Sequence, residues 1–143
     1  MNWSVLVVDD EPLTRNLLRL MLEPAGFQVT GVESGAEAMQ TVQTLRPDVI
    51  VLDLMMPYMD GIEVCRRLRS DSVTAGVPII MLSGNFHREA IEKGLQAGAN
   101  RYLAKPMSRT SLIQELRDVL QETVNPYTQP LKSTPPPRKN LSI

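Results

Sequence analysis

The stretch VLVVDDEP, residues 5–12, joins four apolar residues to three acids and a proline. Val5 to Val8 carry no polar interruption, as expected of a strand covered on both faces of a parallel sheet. Pro12 then stands where a helix can begin, because a first helical position has no use for the N–H that proline lacks. A strand running at once into a helix start is the first half of a βα unit. The acids between them, Asp9, Asp10 and Glu11, need their own account, since two carboxylates about 4 Å apart repel by roughly 4 kcal/mol at a surface-like dielectric. One of them can cap the helix. A hard, oxygen-seeking cation such as Mg2+ would also offset the repulsion, and on this stretch alone both readings stand.

The rhythm of this stretch recurs. Short apolar runs alternate with helical patterns five times, which argues for an α/β fold with a parallel sheet between two layers of helices. Helix positions 12–23 bring Leu13, Leu17, Leu20 and Met21 at helical spacing before Pro24 and Gly26 stop the turn. QVTGV around Val29 is the second strand, and Ser34 caps a helix whose apolar stripe is Ala38, Met39, Val42 and Leu45. VIVLD, residues 49–53, is the third strand, apolar until its last residue. A helix from about Gly61 to Arg69 turns Ile62, Cys65 and Leu68 inward. PIIML, residues 78–82, is the fourth strand, a helix follows from about Phe86 to Ala97, and RYLA is the fifth strand. Residues 108–124 close the unit with Leu112, Leu116, Val119 and Leu120 on one face.

At 143 residues the chain suits one domain with a real core. Residues 1–124 form that domain in this reading. Residues 125–143 hold five of the 11 prolines and read as a flexible tail or linker. The 15 basic and 16 acidic side chains nearly balance, which removes a general electrostatic case for nucleic acid or an anionic membrane surface. No apolar run approaches the roughly 20 residues of a spanning helix. The lone Cys65 at an apolar helix position reads as a small buried hydrophobe and suits a reducing, cytoplasmic compartment.

Ligands of open parallel sheets bind at the carboxyl ends of the strands. There the first strand delivers Asp9 and Asp10, the third Asp53, the fourth Ser83 and the fifth Lys105. Any one of these could be an ordinary cap or loop residue. Acid pair, acid, hydroxyl and ammonium at successive strand ends are poorly explained as independent loop residues.

The motifs VVDDEP, VLDLMMPYMDG, PIIMLSG and GANRYLAKP, in that order and spacing, resemble the receiver domain of the two-component response-regulator family from about Val5 to Val124. The resemblance implies a flavodoxin-like sheet of five strands, order 2-1-3-4-5, with five helices. It implies that Asp53 is the phosphoacceptor, that Asp10 and Asp53 bind Mg2+ directly with Asp9 acting mostly through water, and that Met55 lends its backbone carbonyl to the ion. Lys105 would neutralise charge on the phosphoryl group. Ser83 would swing to bond a phosphate oxygen while Tyr102 moves inward, and the Lys105–Pro106 bond would be cis.

On the same resemblance the chain is a signalling domain that catalyses only its own phosphorylation and dephosphorylation. Its partners would be a sensor histidine kinase or phosphotransfer protein and a downstream effector, with no direct contact to nucleic acid or membrane. A phosphorylation-dependent homodimer is admitted, although Arg101 stands where many members with winged-helix output domains carry an acid used in one dimer contact. Methionine at position 55 cannot activate water, so slow self-hydrolysis is expected. The alternative is a haloacid-dehalogenase-like Mg-dependent phosphatase. It is disfavoured because Leu54 and Met55, not a second acid, follow Asp53.

Overall fold

The computed structural model describes residues 2–54 and 60–124. Met55 and the proposed tail, 125–143, lie outside the described residues. Five parallel strands form one sheet: β1 (Ser4–Val8), β2 (Gln28–Val32), β3 (Val49–Asp53), β4 (Ile79–Ser83) and β5 (Arg101–Ala104), in the order β2-β1-β3-β4-β5. The helices between and after them are α1 (Pro12–Leu22), α2 (Gly35–Leu45), α3 (Gly61–Ser70), α4 (Arg88–Gln96) and α5 (Arg109–Val124). A short 3-10 turn, Glu23–Ala25, ends α1 and leads through Gly26 into β2.

Successive residues of a strand point to opposite faces, and the two cores divide accordingly. Leu6, Val8, Ile50, Leu52, Ile79 and Met81 pack with residues of α2, α3 and α4. Val5, Val7, Val49, Val51, Ile80 and Leu82 pack with residues of α1 and α5. All five residues of β3 and of β4 are buried, so truncating a residue such as Ile50 to Ala should cost about 2–5 kcal/mol.

Side chains cap the starts of α1, α2 and α3, the second by Ser34 as expected. Glu11 accepts a hydrogen bond from Leu13 N with Pro12 at the first helical position. Ser34 Oγ accepts from Glu37 N, and Asp60 accepts from Glu63 N. The inward face of α1 differs from the reading above. Leu18 and Leu22 are buried, whereas Leu13, Leu17 and Leu20 are 78, 56 and 65 % exposed. The leucines and Met21 cover a broad arc bounded by Arg15, Asn16 and Arg19, and it is the edge of that arc beside the arginines, Leu18 and Leu22, that is buried. Two guanidiniums settle its rotation: Arg15 Nη1 donates to Asp9 O at 2.7 Å and Arg19 Nη1 to Val29 O at 3.1 Å.

The order places β1 and β3 side by side although β2 and α2 lie between them in the chain. The connection that leaves β1 runs to one side, toward β2, and the one that leaves β3 runs to the other, toward β4, and the crevice this opens at the strand ends is where such sheets bind ligands.

Candidate functional site

Each polar group forecast at the carboxyl edge, with the exception of Met55, lies among the described residues, and they meet. Val8 is in register with Leu52, Asp53 with Leu82 and Ser83 with Ala104. The next residues therefore bring Asp9, Asp10 and Lys105 to the same edge. One carboxylate oxygen from each of Asp9, Asp10 and Asp53 falls within 4.8 Å of the others. Lys105 Nζ lies 3.2 Å from Asp53 Oδ2 and 3.9 Å from Asp9 Oδ2. The Lys105–Pro106 bond is cis.

Asp9 and Asp53 are buried, and Asp10 is partly so. Burial pushes the Asp9 carboxyl up to about 6, and the charge of Asp53 adds to the rise; the Glu11 N–H and Lys105 pull the other way. The N–H of Glu11 donates to Asp9 Oδ1 at 3.0 Å, which fixes the rotamer of the acid. Among the described residues, three carboxylates thus gather at this edge with the Lys105 ammonium beside two of them.

Ser83 is buried, and its hydroxyl accepts from Asn85 N at 3.0 Å. The hydroxyl of Tyr102 donates to Asn85 O, and the Asn85 side chain accepts from His87 N at 3.1 Å at the start of α4. Gly61 opens α3 against the end of β3: a Cβ there would lie 2.7 Å from Asp53 O and 2.6 Å from Leu54 Cδ2. A side chain at 61 would push α3 off the site.

Sequence reading missed three contributors. Arg15 holds the backbone of Asp9, and no local signal distinguishes it from a solvated helix arginine. Asn85 joins Ser83 to Tyr102 mainly through its backbone, which residue type does not reveal. Gly61 was legible only as part of an Asp-Gly pair. Arg101, the residue that departs from the family pattern, makes ion pairs with Glu115 and Glu122 of α5 in its own chain.

The family model for the response regulator receiver domain matches residues 5–117. The DNA-binding response regulator MtrA of Mycolicibacterium smegmatis is 41% identical over 117 residues, 82% of this chain and 50% of that protein. This chain therefore spans about half the length of the curated relatives it matches. A crystal structure of a putative response regulator from Chloroflexus aurantiacus superposes with a TM-score of 0.81 at 35% identity, covering 85% of this chain and 99% of that one. The receiver domain of a sensor histidine kinase from Pseudomonas aeruginosa, described with a magnesium ion coordinated in its active site cleft, gives 0.79 at 34% identity with the same coverage. These matches give the phosphatase alternative no support. With the sheet in the flavodoxin-like order, the chain belongs to the receiver-domain family of two-component response regulators.

Proposed function

We propose that Asp53 accepts a phosphoryl group from a histidine kinase or phosphotransfer protein, and that the resulting acyl phosphate alters a surface read by an effector. The observation that carries this reading is Lys105 Nζ at 3.2 Å from Asp53 Oδ2, at a strand end where two further carboxylates converge. An Asp53 oxygen attacks phosphorus, the bond to the donor's nitrogen or oxygen breaks, and the donor leaves with that electron pair. Lys105 stays beside the reacting oxygen and offsets the negative charge that spreads over the phosphoryl oxygens. Ser83, at the neighbouring strand end, can donate its hydroxyl proton to one of them.

The donor set fits a hard divalent cation, because carboxylate oxygens within a few ångströms of one another outnumber the ammonium beside them. Asp9, Asp10 and Asp53 would hold Mg2+, with the Met55 carbonyl as the fourth contributor named by the sequence. When bound, the ion supplies further neutralisation of the phosphoryl charge. Asp9 is kept from wandering by the Glu11 N–H and by Arg15 on its carbonyl.

Residues 1–124 would be the receiver unit and 125–143 a tail or linker. Among the described residues no helix is long and apolar enough to cross a membrane, which is compatible with a cytoplasmic regulator. The intrachain pairs of Arg101 argue against a dimer that needs an acid at that position. Incubation with acetyl phosphate and Mg2+, followed by intact mass, tests the core of this reading. One labile phosphate on the wild type and none on Asp53→Asn is expected; an adduct on both proteins would refute Asp53 as acceptor.

A further inference from the structure

Both main-chain groups of Asp9 depend on β2, a strand that lends no side chain to the site. Asp9 N donates to Val32 O, the last residue of β2, at 3.1 Å. Asp9 O accepts from Arg15 Nη1 at 2.7 Å, and the aliphatic stem of Arg15 lies across β2 at Gly31. With Glu11 N on Oδ1 at 3.0 Å, three polar atoms of Asp9 are tied within the chain, and Oδ2 faces Lys105 Nζ at 3.9 Å. The direction of that last oxygen is therefore set by contacts that lie away from the acid cluster.

Gly31 gives Arg15 its lane. It pairs with Val7 inside the edge strand β2, where glycine weakens a strand and often marks the close approach of another group. Its backbone lies outside the left-handed region, so conformation does not call for glycine here. Space does. A Cβ at 31 would lie 3.2 Å from Arg15 Cδ, closer than carbon atoms pack at their optimum. A shift of a few tenths of an ångström accommodates alanine. A β-branched side chain, the kind a strand otherwise favours, would fill the lane itself.

We propose that Arg15 and Gly31 are positioning residues for the divalent cation: together they fix the backbone of Asp9, so that β2 governs how tightly the three carboxylates hold the ion. This rests on Asp9, Asp10 and Asp53 being the donor set. Groups that orient metal ligands from outside the coordination sphere change affinity by about 10- to 100-fold when lost. Arg15 also carries a charge of the ion's own sign, and the two effects oppose each other. Were charge the larger, removing the guanidinium would relieve repulsion and tighten binding. With position the larger, removing it loosens binding.

The test uses the full chain and two readouts, neither of which involves a phosphodonor. Mg2+ is titrated in and its affinity taken from amide chemical shifts; amide exchange in D2O is followed before any metal is added. Arg15→Met should bind Mg2+ about ten-fold more weakly than the wild type, the low end for loss of such a partner. Its Glu11 N–H should exchange faster, because the Asp9 carboxylate it donates to is no longer held. Gly31→Val should weaken Mg2+ by a similar factor and Gly31→Ala by less.

A double-mutant cycle separates loss of the lane from general damage to β2. In an Arg15→Met background Gly31→Val should no longer change the affinity for Mg2+. Equal or tighter binding by Arg15→Met would overturn the positioning role while leaving the cation site in place, and an undiminished effect of Gly31→Val in that background would overturn the part given to Gly31. Absence of Mg2+ binding by the wild type would overturn the cation site itself, and this role with it.

Discussion

The two ends of the sheet solve opposite problems with charge. At the amino ends of β4 and β5, Arg69 is a cation taken largely out of water, and burial lowers its guanidinium below the usual value. Five neutral oxygens surround it: those of Gly98, Thr74, Ala75 and Val77 and the side-chain oxygen of Asn100, at 2.6 to 3.2 Å. Asn100 passes the order on by accepting from Ile79 N at 2.8 Å. Gly98, at φ 117°, gives the backbone a conformation side chains resist, and a Cβ there would lie 2.6 Å from Arg69 Cγ. That end is complete in itself. At the carboxyl ends, among the described residues, the carboxylates of Asp9, Asp10 and Asp53 converge with the Lys105 ammonium beside them, which is where the proposed function puts a divalent cation.

If that contrast is right, the largest effect belongs to Asp53→Asn, which should abolish the phosphate adduct and leave a folded protein, checked by intact mass and circular dichroism. Lys105→Met should follow, slowing uptake from acetyl phosphate by about 10²- to 10³-fold, as for loss of a charge-stabilising donor. At the other end of the sheet, Arg69→Met should lower stability in urea by about 2 kcal/mol, because it leaves several part-buried carbonyls without this donor. It should leave the rate of phosphate uptake unchanged. A large loss of uptake at unaltered stability would dissolve the distinction between the two ends. Mg2+ at a hundred times its dissociation constant should stabilise the wild type by about 2.7 kcal/mol and Asp53→Asn by less, read as a shift in thermal midpoint.

The smallest effect is one of pH. Folded Asp9 keeps its proton to about 6 and the unfolded chain releases it near 3.8, so the folded state holds the extra proton between those values. The stability this contributes is complete below the unfolded value and is lost as pH rises through about 6. Without metal, stability should fall by about 1 kcal/mol between pH 5 and pH 7. Asp9→Asn should flatten that slope, and saturating Mg2+ should do the same, because the ion binds the ionised form.

The strands, the helix count and the converging site residues were legible in the sequence because each rests on a local signal, whereas the strand order was implied by the family resemblance. VIVLD reads as a strand covered on both faces because it is short, rich in β-branched residues and flanked by turn signals, and the polar residue that ends such a run falls at the strand end by geometry. What was not legible depends on direction. The leucines of α1 could not reveal which face Arg15 and Arg19 would turn to the sheet. The Asn85 backbone is invisible to residue type, and Gly94 reads as a helix blemish until the Tyr102 ring is seen against it. Arg69 looked like one of three arginines near the end of α3; its role appears only when the β4 and β5 connections close around it.

Cys65 gives the molecule a built-in clock. Its sulfur is fully covered, burial raises its thiol above the ordinary value, and it donates to Ala97 O. A thiol so placed reacts only when the layer over it opens, since the thiolate is the reactive species and needs access. Alkylation of this single cysteine, followed over hours in native buffer, would therefore time the breathing of the α3 and α4 side of the protein with no label added in advance.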